Sequence, residues 1–540
     1  MPAVSAAAAV APRAVPAERS LPRWWPLAAL IVLAALLRLG TLGEQSFWYD
    51  EAFTPVHVLH DGLGATLRAV VHHENTPPLW YLLAWADARV LGNGAIALRL
   101  PSALAGILTV PVVWAIGSEL AGRRAAVIGA AIVAVNPLFV WYSQEARAYG
   151  LYVLMAALAL LCFVRLRSRP TPARAAAFAL AGALALLSHY FAVFLLLPMA
   201  LWLLRERALR RSALPALGAI GLIGVALLPL ISAQGGHGTQ WIGRWALSSR
   251  LQAIPQYFLT GYSGGPLGHG VELLVALPLL VGVVLGAWRL WGGQSRAPAG
   301  PDPCQGAWIA LSIAAFGVLA PVVLAVFGAD YLAPRNLVGA MIPLSVLIAI
   351  LLAAIDGPGE RGGRALGRVP LGAALTAIVL AAFLIVTLDV DLSPRLQRGN
   401  WRDLARVLAR GGRSRAITTV ELGAAPLEYY LSHLGLDNLS RNTTVTVSEI
   451  EETGYAPLRH DAGRSPAPGF HLLERRDIDG LIVYRFVSSV PRAVSEAELR
   501  RHVITLAHPE VLVPARADVS ATAVGTASSL MQMSSSDENI

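Results

Sequence analysis

WWPLAALIVLAALLRLGTLGEQSFWYDEAFT, residues 24–54, decides how this chain is read. An apolar run from Trp24 to about Leu42 has roughly the length that crosses a bilayer. Shortly after it comes the adjacent pair Asp50-Glu51. Carboxylates beside hydrocarbon are costly, so acids at a membrane boundary are functional candidates by default. The alternative is a solvated pair that opens a helix, where acids suit the N-terminal dipole. The run has no convincing small-residue cleavage site and leads into more spans, so a retained signal anchor is expected. Residues 1–23, rich in Ala, Pro and Val with Arg13 and Arg19, are expected to be a disordered cytoplasmic tail.

Composition agrees with a polytopic α-helical membrane protein. Of 540 residues 55% are hydrophobic and only 14% are charged. All 43 basic residues are arginine, and the net charge is +9. This balance does not imply nucleic acid, because arginine concentrates in the cytoplasmic loops of membrane proteins. Cys162 and Cys304 carry neither a metal spacing nor a disulfide framework.

Outward from the first run, apolar segments lie at roughly 101–121, 125–142, 148–166, 174–204, 212–232, 270–291, 307–328, 335–355 and 369–388. Two segments need a decision. Residues 77–92 are apolar but short, begin with Pro77-Pro78, and contain Asp87 and Arg89. Residues 174–204 would make a helix about 46 Å long, too long for hydrocarbon about 30 Å thick, and carry Ser188-His189-Tyr190 at mid-length. If 77–92 lies along the interface and 174–204 is two short spans meeting at His189, the arginine loops share one side. These loops are Arg123-Arg124, Arg165 to Arg174, Arg205 to Arg211, Arg289 to Arg296 and Arg361 to Arg368. That is the positive-inside pattern. It predicts about eleven transmembrane helices in a multi-pass plasma-membrane protein, with a cytoplasmic N-terminus and an extracytoplasmic C-terminus.

The outer face then collects the polar residues that look out of place at span ends. They are Asp50, Glu51, His73 and Glu74 in a first loop of 43–100, then Glu145 and Arg147, His189-Tyr190, and Arg335. The loop is too long for a plain connector. Segments 50–61, 64–73 and 77–92 read as surface helices, the last with an apolar face of Leu79, Leu83, Ala86 and Val90. The expected domains are a transmembrane catalytic domain at 24–388, a small extracytoplasmic α/β domain at 389–517, and a disordered tail at 518–540.

The outer set has the parts that sugar transfer from a lipid phosphate needs. A carboxylate takes the proton of an attacking hydroxyl, and arginine matches the oxygens of a departing phosphate. Four segments in order carry a family resemblance: Tyr49-Asp50-Glu51-Ala52; His73-Glu74-Asn75-Thr76-Pro77-Pro78-Leu79-Trp80; Arg99-Leu100-Pro101-Ser102-Ala103; and Ser143-Gln144-Glu145-Ala146-Arg147-Ala148-Tyr149. Over about 25–390 the chain resembles the polyprenyl-phosphate-sugar-dependent glycosyltransferases of the GT-C fold, in particular the protein-mannosyltransferase-like group, glycosyltransferase family 39.

The resemblance implies a hexosyl- or pentosyltransferase, mannosyltransferase-like. It would move a sugar, with inversion, from a polyprenyl-phosphate donor to a hydroxyl of a lipid, glycan or protein on the outer face. It makes Asp50 the catalytic base and Glu51 its neighbour in the motif, orienting it or the acceptor. It puts His73, Glu74, Glu145 and Arg147 in the substrate cavity and Arg335 at the phosphate, although Asn336 stands where the family has an aromatic residue. His189 and Tyr190 join the substrate-binding set as outer polar residues, with a polar kink between two spans as the alternative. Arg147 has the alternative of a structural ion pair with a loop acid. A divalent metal near Asp50, Glu74 and His73 is a further alternative, with spacing too loose to assign one. The competing function is a lipid-linked-sugar flippase or small-solute transporter, for which polar residues deep inside spans are expected.

Overall fold

A computed structural model describes residues 24–236, 239–263, 269–292, 301–356, 370–412, 414–502, 504–505, 508–515 and 519–521. The expected tail 1–23, the arginine loop 361–368 and most of 518–540 lie outside the described residues.

The apolar segments become the helices Trp25–Leu39, Ala95–Ala121, Arg123–Val135 with Pro137–Ser143, Tyr149–Ser168, Pro172–Ser188, Val193–Arg205, Arg207–Gln234, His269–Gly292, Pro303–Val326, Met341–Ile355 and Leu371–Leu392. Among the described residues seven helices are long and apolar enough to cross a membrane, or eight if one bent pair is a single span. Trp25–Leu39, Pro172–Ser188 and Tyr190–Arg205 are apolar but shorter. The chain is a multi-pass helical membrane protein; about eleven crossings requires those three to cross as well.

Both breaks have local causes. The long segment stops at Ser188, and His189 is extended before the chain turns helical again. The other bend, 56°, falls at Asn136-Pro137. Pro137 has no N–H to give the Val133 carbonyl. Arg38 of the first helix supplies the missing donors, to Val133 O at 2.8 Å and Ala134 O at 2.9 Å. Away from water such carbonyls need a partner within the protein.

The first loop folds as Tyr49–Phe53 continuing into a wider helical turn Thr54–Val58, then Leu63–His73 and Leu79–Leu91. The last packs inward through Trp80, Tyr81 and Ala84 and leaves Leu83 and Val90 exposed. That exposed apolar stripe suits a helix lying in the membrane interface.

Residues beyond the last apolar helix form a seven-stranded sheet: β1 Arg415–Thr419, β2 Leu436–Asn438, β3 Thr443–Tyr455, β4 His471–Ile478, β5 Leu481–Ser495, β6 Glu510–Pro514 and β7 Val519–Ala521. The order is β2-β6-β1-β3-β5-β4, with β1 and β3 parallel. Within the segment 518–540, expected to be a disordered tail, the described residues Val519–Ala521 form β7. β1 pairs with Arg415–Thr418 against Glu449–Glu452, leaving Thr443–Val445 of β3 free on that side for β7 to take. The helices Trp401–Leu408 and Ala424–Tyr430 join this domain to the first loop. Trp48 and Trp401 share one apolar cluster. Ser46 bridges by donating to Gly399 O at 2.8 Å and accepting from Trp401 N at 3.0 Å.

Candidate active site

Asp50 and Glu51 occupy the first turn of a five-residue helix, and successive residues on a helix face different ways. Glu51 is fully buried. Its carboxylate receives Arg99 Nε at 2.7 Å and Nη2 at 2.6 Å, and the Ala146 N–H at 2.8 Å, with Arg398 at 3.7 Å. Burial pushes this carboxyl up, but Arg99 and Arg398 outweigh it and hold it below the usual range. Arg99 also donates to the Leu42, Gln45 and Ser46 carbonyls, so one guanidinium ties the loop to the Ala95–Ala121 helix. In this arrangement Glu51 is a clamp that holds Asp50 and the 144–148 loop in register.

Asp50 instead meets Arg335, whose Nη1 donates to its Oδ2. Arg335 opens the short helix Pro334–Ala340, and its guanidinium lies 5.0 Å from the Trp241 ring and 5.9 Å from Tyr149. Such stacking orients an arginine without consuming its donors. Gly339, one turn on, lies so close to Tyr152 that a Cβ there would strike the ring.

Glu74 and Arg147 pair with each other through two bonds of 2.8 and 2.9 Å. The alternative of an ion pair with a loop acid is therefore what Arg147 adopts. His73 does not join the cluster. The Leu63–His73 helix ends there, the chain extends at Glu74, and the two side chains part: Glu74 is buried and His73 exposed.

Glu145 is buried, neither carboxylate oxygen has a hydrogen-bond partner among the described residues, and Arg398 lies at 3.7 Å. Burial, only partly offset by Arg398, pushes its carboxyl up to about 7. His189 stacks on Tyr152 at 4.8 Å, and its Nδ1 accepts the Phe191 N–H at 3.2 Å. Burial, with Arg335 and Arg147 nearby, lowers its imidazole to about 3. The ring is thus neutral, and with Nδ1 accepting, Nε2 carries the hydrogen and has no protein partner among the described residues. Tyr190 donates to Gln234 Oε1 at 2.7 Å, and Gln234 reaches Val70 O and Thr76 O.

Arg335, Tyr149, His189, Tyr190 and Trp241 are among the residues that line a cavity of ≈ 530 Å³. Most of the exposed lining is apolar, with Leu227, Leu228, Ile231 and Leu324 among its walls. A largely apolar cavity with an arginine in its wall suits an amphiphile with an anionic head. Among the described residues no cluster of three or more His, Cys, Asp or Glu is placed to hold a metal ion. Of the three residues suggested for a metal, Asp50 and Glu74 are each paired with an arginine and His73 is exposed.

Sequence reasoning missed Arg99 and Arg398. Arg99 stands in a quoted motif, and a charge at the start of an apolar helix was a usable signal. Arg398 had none: it lies in an irregular linker, donates to Trp141 O at 3.1 Å and Gln45 Oε1 at 3.0 Å, and stacks 4.1 Å from the Trp141 ring.

Residues 75–232 match the family model of dolichyl-phosphate-mannose-protein mannosyltransferases. Among solved structures the chain is similar to ArnT from Cupriavidus metallidurans bound to undecaprenyl phosphate, with 14% identity over 86% of this chain and 98% of that one, and a TM-score of 0.50. It is also similar to the oligosaccharyltransferase AglB from Archaeoglobus fulgidus in complex with an inhibitory peptide and a dolichol-phosphate. That match has 14% identity over 75% of this chain and 59% of that one, with a TM-score of 0.41. Arabinosyltransferase EmbB from Mycobacterium smegmatis matches at 13% identity over 86% and 48%, with a TM-score of 0.37. No curated protein matches the chain. The GT-C resemblance read from the four motifs stands on the family match and the shared fold.

Proposed function

We propose that this protein is an inverting membrane glycosyltransferase that moves a sugar from a polyprenyl-phosphate donor to an acceptor hydroxyl, with Asp50 as general base. The observation that carries this reading is the ion pair of Asp50 with Arg335, an arginine in the wall of a largely apolar cavity. The isoprenoid tail lies among Leu227, Leu228 and Ile231, and the phosphate meets Arg335. The family match over 75–232 supports transfer from a lipid phosphate.

Without donor, Asp50 and Arg335 neutralise each other. An incoming phosphate competes for the guanidinium fork, which frees the carboxylate as the leaving group gains its cation. The acceptor oxygen then attacks the anomeric carbon as its proton passes to Asp50. The bond from that carbon to the phosphate oxygen breaks, and polyprenyl phosphate departs. His189 lines the same cavity, and its buried, unpartnered Nε2–H is the donor we assign to a sugar or phosphate oxygen. Glu51 and Arg99 hold the loop during this exchange. The arginine-bearing loops of the sequence support a site on the extracytoplasmic side, with a cytoplasmic N-terminus. The donor would be a hexosyl or pentosyl lipid.

The test is mass analysis of envelope glycans and lipid-linked sugars in a null strain complemented with wild type or Asp50→Asn. Loss of the glycan product with accumulation of loaded carrier lipid is expected. Full restoration by Asp50→Asn would remove Asp50 as the base. Movement of lipid-linked sugar across vesicles by the purified protein, with no glycosidic bond formed, would favour a flippase.

A further inference from the structure

A second opening lies at the start of the Asp50 helix, where Tyr49 lines it. This cleft of ≈ 350 Å³ is lined by Trp48, Tyr49, Trp141 and Tyr262, by the linker 395–399, and by Tyr455 at the end of β3. Tyr49 immediately precedes Asp50, whereas Arg335, the partner of Asp50, lines the apolar cavity. The candidate base is thus tied to both openings, to one through its chain neighbour Tyr49 and to the other through its ion pair with Arg335.

The walls differ in chemistry. The apolar cavity suits a lipid tail; the cleft is built of ring faces with polar groups between them. Trp141 and Tyr262 stack at 5.1 Å with planes only 14° apart, and Trp48 meets Tyr262 at 5.7 Å. Arg398, itself among the lining residues, stacks 4.1 Å from the Trp141 ring. Gln397 and Ser263 add hydrogen-bonding groups, and Ser263 is itself tied to Leu396 O. Gly399 allows the sheet domain to close on the linker, since a Cβ there would strike the Tyr455 hydroxyl. Arg395 is exposed at the cleft and makes no ion pair or hydrogen bond among the described residues. A fixed aromatic platform presents electron-rich faces to the weakly positive C–H face of a sugar ring. A free guanidinium beside it selects for an anion.

We propose that this cleft is the acceptor subsite, and that the acceptor is a saccharide bearing an anionic group, held on the Trp48, Tyr262 and Tyr455 rings and by Arg395. The inference rests on the glycosyltransferase reading above and names its second substrate class. It also gives the sheet domain a part in the reaction, because Tyr455 comes from that domain.

The experiment uses the null strain complemented with wild type, Arg395→Ala, Arg395→Lys or Tyr455→Ala. Each full-length protein is also purified and heated with and without undecaprenyl phosphate. Arg395→Ala and Tyr455→Ala should each cut the glycan product at least tenfold while loaded carrier lipid accumulates. Undecaprenyl phosphate should stabilise both as it does wild type, and Arg395→Lys should recover more than half of the product. Linkage analysis of the wild-type product should find the new glycosidic bond on an acidic saccharide. Wild-type transfer by Arg395→Ala or Tyr455→Ala, or a product attached to serine or threonine of a protein, overturns the inference and leaves the donor reading intact. A wild-type protein that undecaprenyl phosphate does not stabilise sinks the donor reading, and this inference with it.

Discussion

Asp50 and Arg335, 285 residues apart in sequence, are ion-paired where the first loop meets the Pro334–Ala340 turn. Both are largely shielded, with side chains 13% and 20% exposed. The carboxylate proposed as base is thus masked by the cation proposed to receive the phosphate.

That pairing separates the two roles. Asp50→Asn should lower turnover by about 10²–10⁴-fold, the usual contribution of a general base, with donor binding little changed. Arg335→Ala should raise the donor KM as well, and Arg335→Lys should recover part of it. Steady-state kinetics with a synthetic polyprenyl-phosphate sugar separates the outcomes; equal KM effects from Asp50→Asn and Arg335→Ala would contradict the division.

Glu51 and Arg99 should behave as structure. Arg99→Ala leaves a buried carboxylate without its main partner, a change that costs about 3–5 kcal/mol. The double variant Arg99→Met, Glu51→Gln should lose less stability than Arg99→Ala alone. Thermal unfolding of the purified proteins measures both; a double variant no more stable than the single one would count against the clamp.

Glu145 sets a pH signature. Its folded value of about 7 lies above its ordinary 4.5. Between these values the folded state holds a proton that the unfolded state has released, so stability from this group falls as pH rises through that window. The full effect is about 3 kcal/mol. Glu145→Gln should therefore lose less stability than wild type on going from pH 4.5 to 7. Parallel curves for the two proteins would exclude it.

His189 should act as a neutral donor. With its imidazole lowered to about 3, it is uncharged across pH 5–8 and contributes no limb to the rate profile there. His189→Phe keeps a ring on Tyr152 but removes the Nε2 hydrogen, and should raise the donor KM roughly tenfold. A KM equal to wild type would remove His189 from the donor site.

Much of the architecture was legible because its causes are local. Apolar length marked the long helices, and an overlong segment with His189 at its centre predicted the break that the chain makes there. Acids and arginines at span ends marked the candidate site. What stayed hidden was who pairs with whom. Glu74 and Arg147 were both named, but their bidentate bond spans 73 residues. His73 and Glu74 are neighbours in one motif, yet one is exposed and the other buried, because the helix ends between them. Arg398 had no local pattern, only a place in a linker that the fold carries back to Glu51 and Glu145.

By itself the sequence determined that this chain is a helical membrane protein with acids and arginines gathered at the ends of its apolar segments. Lipid offers backbone groups no partners, so long apolar segments must bond internally as helices, and charges must gather at the boundary. Only the tertiary structure decided which of the adjacent acids is locked and which is poised. The character of a buried carboxylate depends on the cations within a few ångströms, and here those come from residues 99, 335 and 398, brought together by packing alone.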